Sequence, residues 1–265
     1  TPRTSSAASD VYKRQCKSRT SKERDEWYSL QKILRQEWVE SSLSDLEQEE
    51  PDDLMMHPLR LALEVQSLMN QNDWLVIDGG NTHFWSEIAV NIAGAQGKEL
   101  AGILHPGSFS MLGVGVSFGL AAKLNHPKDR VVVISGDGAF LSGGLSIEAA
   151  FQENVPITVV IDNNGGLTTI SQQQERLFAD ERHVATDFRD IPFHTMFEGM
   201  GGHGELVEKP EDLKAALERA LSSGKTACVN VRTRSAISPI VLATTSKRDK
   251  ACLLYTSDAA DDVRG

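Results

Sequence analysis

The sequence predicts an α/β fold of three layers, α/β/α, with helices on both faces of a mostly parallel sheet. Three observations carry that expectation. Val131–Ser135 is an apolar, β-branched run that stops at Gly136-Asp137-Gly138. Such a run bounded by glycine reads as a strand buried on both faces. Ile157–Ile161 is a second run of this kind and stops at Asp162-Asn163-Asn164-Gly165-Gly166. Asn164 lies 27 positions after Asp137, the length of one strand–helix–strand crossover. Both polar clusters then fall past the carboxyl ends of neighbouring parallel strands, where open α/β sheets bind ligands.

The two ends stand outside this pattern. Residues 1–15 and 246–265 are polar and aperiodic, and the runs Ser5–Gln15 and Cys252–Asp262 resemble translated sequencing-adapter sequence. They are expected to be non-native or disordered and not to pack. Residues 16–56 are highly charged, with Trp27, Leu30, Ile33, Leu34 and Trp38 at helical spacing. They predict an amphipathic helix without its packing partner, followed by a solvated acidic linker at Glu47–Asp53.

The main domain is expected over residues 57–245. Leu59, Leu61, Leu63, Val65 and Leu68 place a helix over Pro58–Met69. Trp74–Ile77 reads as a strand that ends in Asp78-Gly79-Gly80-Asn81-Thr82, and Ile103–His105 as a short strand. Leu112–Leu124 predicts a helix whose small residues let it pack close to a sheet. Ser146–Glu153 is the crossover helix. Phe193–Met200 and Pro210–Leu221 are amphipathic helices, with strands at Gly204–Val207 and Cys228–Val231. Pro210 followed by Glu211 and Asp212 is a helix start, with acid at the positive end of the dipole.

At the two polar clusters, Asp137 offers a carboxylate, Asn164 a side-chain amide and the turns free backbone carbonyls. An all-oxygen set of this kind suits a hard divalent cation such as Mg2+. Gly138 has no Cβ to block an approaching phosphate, and the helix behind it would aim its first amides, at Ala139 and Phe140, toward the same spot. A pair of β–α turns using Gly, Asp and Asn for turn chemistry accounts for each cluster singly, not for both at this spacing.

Composition excludes other classes. The 265 residues carry a net charge of −10, which argues against nucleic acid or an anionic membrane surface as partner. No apolar run approaches the ~20 residues that span a bilayer. Cys16, Cys228 and Cys252 show neither metal spacing nor a disulfide framework, so a cytoplasmic setting is expected. Gly113-Val-Gly115-Val-Ser-Phe-Gly119 is one residue too long for a dinucleotide fingerprint and follows no strand directly. His183, His194 and His203 lack zinc spacing.

Gly-Asp-Gly followed at this spacing by Asn-Asn resembles the cofactor motif of the thiamine-diphosphate-dependent decarboxylase and acetolactate synthase superfamily. The resemblance covers roughly residues 57–240 and implies that superfamily's thiamine-diphosphate-binding fold, with thiamine diphosphate and Mg2+ as cofactors. It implies metal contacts at Asp137, Asn164 and the Gly166 carbonyl, and cofactor contacts at Gly136, Gly138, Ala139 and Phe140. Asn81 and Thr82 stand where the family usually has diphosphate-binding glutamine and histidine. Ser110 falls where a backbone carbonyl holds the cofactor's 4′-amino group. Leu112 falls on the apolar wedge, often methionine, that supports the folded cofactor; an ordinary core leucine is the alternative. Trp85 is expected in the core. Gln173 stands at a family tryptophan.

In this superfamily the activating glutamate lies on a separate pyrimidine-binding domain, so no catalytic residue is expected in this chain. The implied function is the cofactor-binding half of an acetolactate-synthase-like 2-oxo acid decarboxylase and carboligase, inactive alone. A 2-hydroxyacyl-CoA lyase or oxalyl-CoA decarboxylase relative, acting on acyl-CoA, is the alternative. A non-catalytic cofactor-binding module is another. The implied assembly is a homodimer or homotetramer, with an exposed apolar face for a partner's pyrimidine domain.

Overall fold

The computed structural model describes residues 21–49, 55–178, 183–239 and 241–242. The expectations for residues 1–15 and 246–265 lie outside these. The chain divides into two compact units, residues 1–48 and 49–265. The first contains all but the last residue of helix α1 (Ser21–Glu49), on which Trp27, Leu30, Ile33, Leu34 and Trp38 are all exposed.

In the second unit, α2 (Pro58–Leu68) starts where Pro58 presets the first helical φ. The His57 Nδ1 accepts the Leu59 N–H at 3.0 Å, satisfying one of the amides a helix start leaves unpaired. Strand β1 (Trp74–Ile77), helix α3 (Asn81–Ala95) and strand β2 (Gly102–Leu104) follow. Next come α4 (Gly115–Asn125), β3 (Val131–Gly136), α5 (Asp137–Gly143), α6 (Glu148–Gln152) and β4 (Thr158–Asn163). The chain continues through α7 (Thr168–Phe178), α8 (Phe193–Gly199), β5 (His203–Val207), α9 (Pro210–Ser222) and β6 (Ala227–Arg232).

Among the described residues the sheet has six strands in the order β2-β1-β3-β4-β6-β5. Every neighbouring pair is parallel. The β-branched strands explain this: successive side chains point to opposite faces, so an unbroken apolar run needs cover on both. Leu75, Ile77, Val132, Ile134 and Val160 pack on one face with Leu61 and Val65 of α2 and Leu213 and Leu217 of α9. Val76, Val131, Val133, Val159 and Ile161 pack on the other with Val116, Phe140, Phe193 and Phe197. The result is the three-layer arrangement the sequence predicts.

The chain leaves β1 toward β2 on one side and leaves β3 toward β4 on the other. The strand order therefore reverses between β1 and β3, which opens a crevice at their carboxyl ends. Register sets Gly136 beside Asp162, so Asp137 and Asn164 leave the sheet next to one another.

Strand bounds differ from expectation by one or two residues, and some helices differ more. Helix α4 begins at Gly115 rather than Leu112, because the backbone amides of Gly113 and Val114 are held by Asp78 in a turn. The expected Ser146–Glu153 helix is a 3-10 turn, Gly144–Ile147, followed by the short α6. A Cβ on Gly143 would sit 2.0 Å from the Gly113 carbonyl oxygen, so two backbones meet where a regular helix would need side chains. Helices α3 and α7 occupy stretches to which the sequence pattern assigns no element. Small residues do let α4 approach the sheet: a Cβ on Gly119 would be 2.6 Å from Val133 Cγ2. No helix among the described residues is long and apolar enough to cross a membrane.

Candidate functional site

A cavity of about 240 Å3 lies at the crevice and is lined by the residues that follow β1, β3 and β4. Asp137, the first residue of α5, is 2% exposed. Its Oδ1 accepts the Gly138 N–H at 2.7 Å, and its Oδ2 accepts the N–H groups of Gly165 and Gly166, each at 2.9 Å. One carboxylate thus ties the tip of β3 to the tip of β4. Burial pushes the Asp137 carboxyl up to about 7; the nearby Asp162 adds to the rise, while the three amide donors oppose it. A cation in the cavity would favour the ionised form.

Asn164 lines the same cavity. Its Oδ1 is buried and has no hydrogen-bond partner. A buried acceptor left unsatisfied costs about 1–3 kcal/mol, so this oxygen calls for a donor or a cation. Gly166 also lines the cavity, and its carbonyl accepts the Thr168 N–H at 2.9 Å, which uses one of two lone pairs. The oxygens present fit a hard dication.

The structure distributes the other expected residues unevenly. Gly136, Gly138, Ala139, Ser110 and Leu112 line the cavity. Phe140 does not: its ring is buried with Phe193 at 5.4 Å and Phe197 at 6.0 Å between centroids. Gly138 lines the cavity, and a Cβ there would lie 2.5 Å from Leu167 Cδ2 and 3.2 Å from Phe188 Cε2, so its bare Cα also makes room for these two side chains. Trp85 is in the core, 6% exposed, with its ring edge-on to His57.

Asn81 and Thr82 line the cavity, but their side chains are committed to the protein. Asn81 Nδ2 donates to the Ala236 carbonyl at 2.5 Å, and its Oδ1 accepts from the Ser238 N–H at 3.3 Å. The Thr82 hydroxyl donates to Asp162 Oδ2 at 2.7 Å. What both offer a ligand is backbone. They open α3 behind Gly80, an N-cap with φ 93° and no side-chain cap, and the first amides of a helix have no intrahelical partner. Such an end attracts anions.

Sequence pattern alone assigns no role to Asp78, Asp162 or His83. Asp78, 1% exposed, accepts the N–H groups of Gly79, Gly113 and Val114 on Oδ1 and the Ser135 hydroxyl on Oδ2. It pins the 110–114 turn so that Leu112 Cδ2 lies 3.3 Å from a Cβ placed on Gly80. Asp162 is wholly buried, accepts from Thr82 and Thr233, and has its carboxyl pushed up by burial. Its position directly before Asn163-Asn164 was the available signal. His83 lines the cavity with Nε2 2.9 Å from Glu87 Oε1 and a buried, unpartnered Nδ1. The spacing of His83 and Glu87, one helical turn, was legible once α3 is known.

The family model "Thiamine pyrophosphate enzyme, C-terminal TPP binding domain" matches residues 78–231, more than half of the chain. The acetolactate synthase large subunit IlvG of Mycobacterium tuberculosis is 35% identical over 199 residues, which are 74% of this chain and 35% of that protein. The 2-hydroxyacyl-CoA lyase 2 of Mus musculus is 30% identical over 174 residues, 65% of this chain and 26% of that protein. The catabolic acetolactate synthase of Raoultella terrigena is 28% identical over 166 residues, 63% of this chain and 28% of that protein. The chain thus spans about a third or less of these relatives' lengths. With a match that starts at the pinning carboxylate after β1 and ends within β6, the chain belongs to the family of thiamine pyrophosphate enzyme C-terminal TPP-binding domains.

Proposed function

We propose that this chain is the cofactor-anchoring part of a thiamine-diphosphate-dependent enzyme that decarboxylates a 2-oxo acid and joins the fragment to a second carbonyl, as its likeness to acetolactate synthases supports. The observation that carries the reading is the unpartnered Asn164 Oδ1 beside the buried Asp137 carboxylate in one cavity. Asp137, Asn164 and the Gly166 carbonyl would hold Mg2+, which neutralises diphosphate oxygens. The amide-rich start of α3 would take the remaining phosphate charge. Leu112, lying over Gly79 and Gly80, supplies an apolar floor. When bound, thiamine diphosphate supplies the carbon nucleophile and electron sink for C–C chemistry beside a carbonyl.

The activating carboxylate would come from a pyrimidine-binding domain on a second subunit of a homodimer or homotetramer. Phe109 and Met111, 93% and 63% exposed on either side of the cavity-lining Ser110, support a partner surface there. A second reading, C–C cleavage of a 2-hydroxyacyl-CoA, is supported by the likeness to the lyases. Product analysis of the full-length enzyme with a 2-oxo acid and with a 2-hydroxyacyl-CoA separates the two.

The anchoring itself is tested by calorimetry on this chain. Thiamine diphosphate is expected to bind only with Mg2+ present, and Asp137→Ala to abolish that binding. Unchanged affinity in the variant overturns the assignment.

A further inference from the structure

We propose that His83 takes up a proton when the cavity binds a diphosphate, so that an imidazolium stands between the Glu87 carboxylate and the phosphate oxygens. The inference rests on the diphosphate reading above and deepens it. His83 is the third residue of α3, 8% exposed, and lines the cavity. Glu87 is one helical turn along the same face, with Oε1 2.9 Å from His83 Nε2. A carboxylate only accepts, so Nε2 carries the hydrogen. In the neutral ring Nδ1 is then a bare acceptor.

That Nδ1 is buried and has no partner. Phosphate oxygens are also acceptors, so a diphosphate facing a neutral His83 would set lone pair against lone pair. Protonation turns Nδ1 into a donor and completes both hydrogen bonds. Negative charge on two sides favours the charged ring. The need is local: no lysine or arginine lines the cavity among the described residues. His83 is thus the side chain there able to bring a positive charge to a polyanion.

The other titratable groups nearby are compatible with this. His105, from the turn after β2, has its ring centroid 5.3 Å from that of His83. Its Nδ1 accepts the Gly107 N–H at 3.2 Å. One ligand atom each of His83, Glu87 and His105 lie within 4.8 Å of one another, so a transition metal there would compete for the nitrogens that this account reserves for protons. Asp137, across the cavity, would release a proton to a metal rather than take one up.

The test is calorimetry of thiamine diphosphate with Mg2+ in two buffers of different ionisation enthalpy, above neutral pH, on this chain and on His83→Gln. Any proton lost from Asp137 is common to both proteins, so the difference reads His83. The unmutated chain is expected to take up as much as about one proton more than the variant, and its affinity to fall by up to about tenfold more per pH unit. Nitrogen NMR of the unmutated chain is expected to show the His83 ring becoming imidazolium on cofactor addition, which decides the matter if the variant does not fold. Cofactor binding with equal proton counts, or with a neutral His83 ring, overturns the inference and leaves the diphosphate reading standing. No binding of cofactor to the unmutated chain overturns both.

Discussion

Asp78 Oδ1 accepts the backbone N–H of Gly113 at 2.9 Å, joining the tip of β1 to a turn 35 residues later. The same carboxylate holds Val114 and Ser135. It is the brace that sets Leu112 over the cavity. Asp78→Ala would take the acceptor from the amides of Gly79, Gly113 and Val114 and leave the Ser135 hydroxyl with the Gly136 carbonyl alone; a buried donor left unmet costs about 1–3 kcal/mol. A loss of about 2–4 kcal/mol in urea denaturation is expected. Amide exchange at Gly113 and Val114 should accelerate more than at β3, because the turn loses its only side-chain anchor among the described residues. Unchanged protection at Gly113 would show that the turn holds itself.

Two glycines at the site should respond differently to alanine. A Cβ on Gly138 meets the end of the Leu167 side chain, which can turn aside; a Cβ on Gly166 meets the Thr186 backbone oxygen at 2.3 Å. The backbone there is fixed by a hydrogen bond from Leu167 N to Thr186 O at 2.8 Å and one from Phe188 N to Gly165 O at 2.8 Å. Overpacking costs typically about 1–3 kcal/mol. Gly166→Ala should fall at or above the top of that range and Gly138→Ala near the bottom. Denaturation midpoints in the reverse order would count against the packing account.

Much of the architecture is visible in the chain, because buried parallel strands need continuous apolar runs and these are conspicuous at Val131–Ser135 and Ile157–Ile161. Asp137 and Asn164 were legible for the same reason: a polar residue at the end of such a run has left the sheet. Helix α3 was harder to read because its cap is Gly80, with no side chain to mark it. The bracing roles of Asp78 and Asp162 depend on partners 35 and 71 residues away, Gly113 and Thr233. Local pattern carries no trace of such contacts. The contact at Gly138 is hidden for a related reason: a glycine announces that space is needed, not that Leu167 is the neighbour beside it.

The pH dependence of stability should carry the signature of Asp137. Its folded value is about 7 against an ordinary 3.8, so the folded chain holds this proton more tightly than the unfolded chain does. Stability is then greatest below the ordinary value and declines as pH rises toward the folded one, levelling off above it. The full span is about 4 kcal/mol. Wholly buried Asp162 pulls in the same direction. Glu205, lowered by its hydrogen bond to Arg219, acts oppositely, but below its ordinary carboxylate range. Denaturation at pH 5, 6, 7 and 8 should therefore show falling stability without Mg2+. On the proposed anchoring, Mg2+ binds the ionised carboxylate, and saturating Mg2+ should flatten or reverse the trend. A metal-free stability that rises steadily over that interval would contradict the buried, protonated carboxyl.

Asn164 offers the cleanest separation of folding from ligand binding. Most buried polar atoms earn their place through a partner, yet its Oδ1 has none. Asn164→Ala therefore removes an acceptor that costs about 1–3 kcal/mol while unmet, so metal-free stability should hold or rise by up to about that amount. On the proposed anchoring the same change deletes a direct oxygen ligand, so Mg2+-dependent cofactor affinity should fall by more than the ~10–100-fold typical of losing an outer partner. Asn164→Asp restores the oxygen but sets a second negative charge near Asp137. It should retain metal binding while lowering metal-free stability, because like charges that share one buried site resist ionising together. Urea denaturation and calorimetry on the two variants read these effects independently. If Asn164→Ala binds cofactor as tightly as the unmutated chain while Asp137→Ala does not, the oxygen at 164 is no ligand, and its isolation in the cavity needs another explanation.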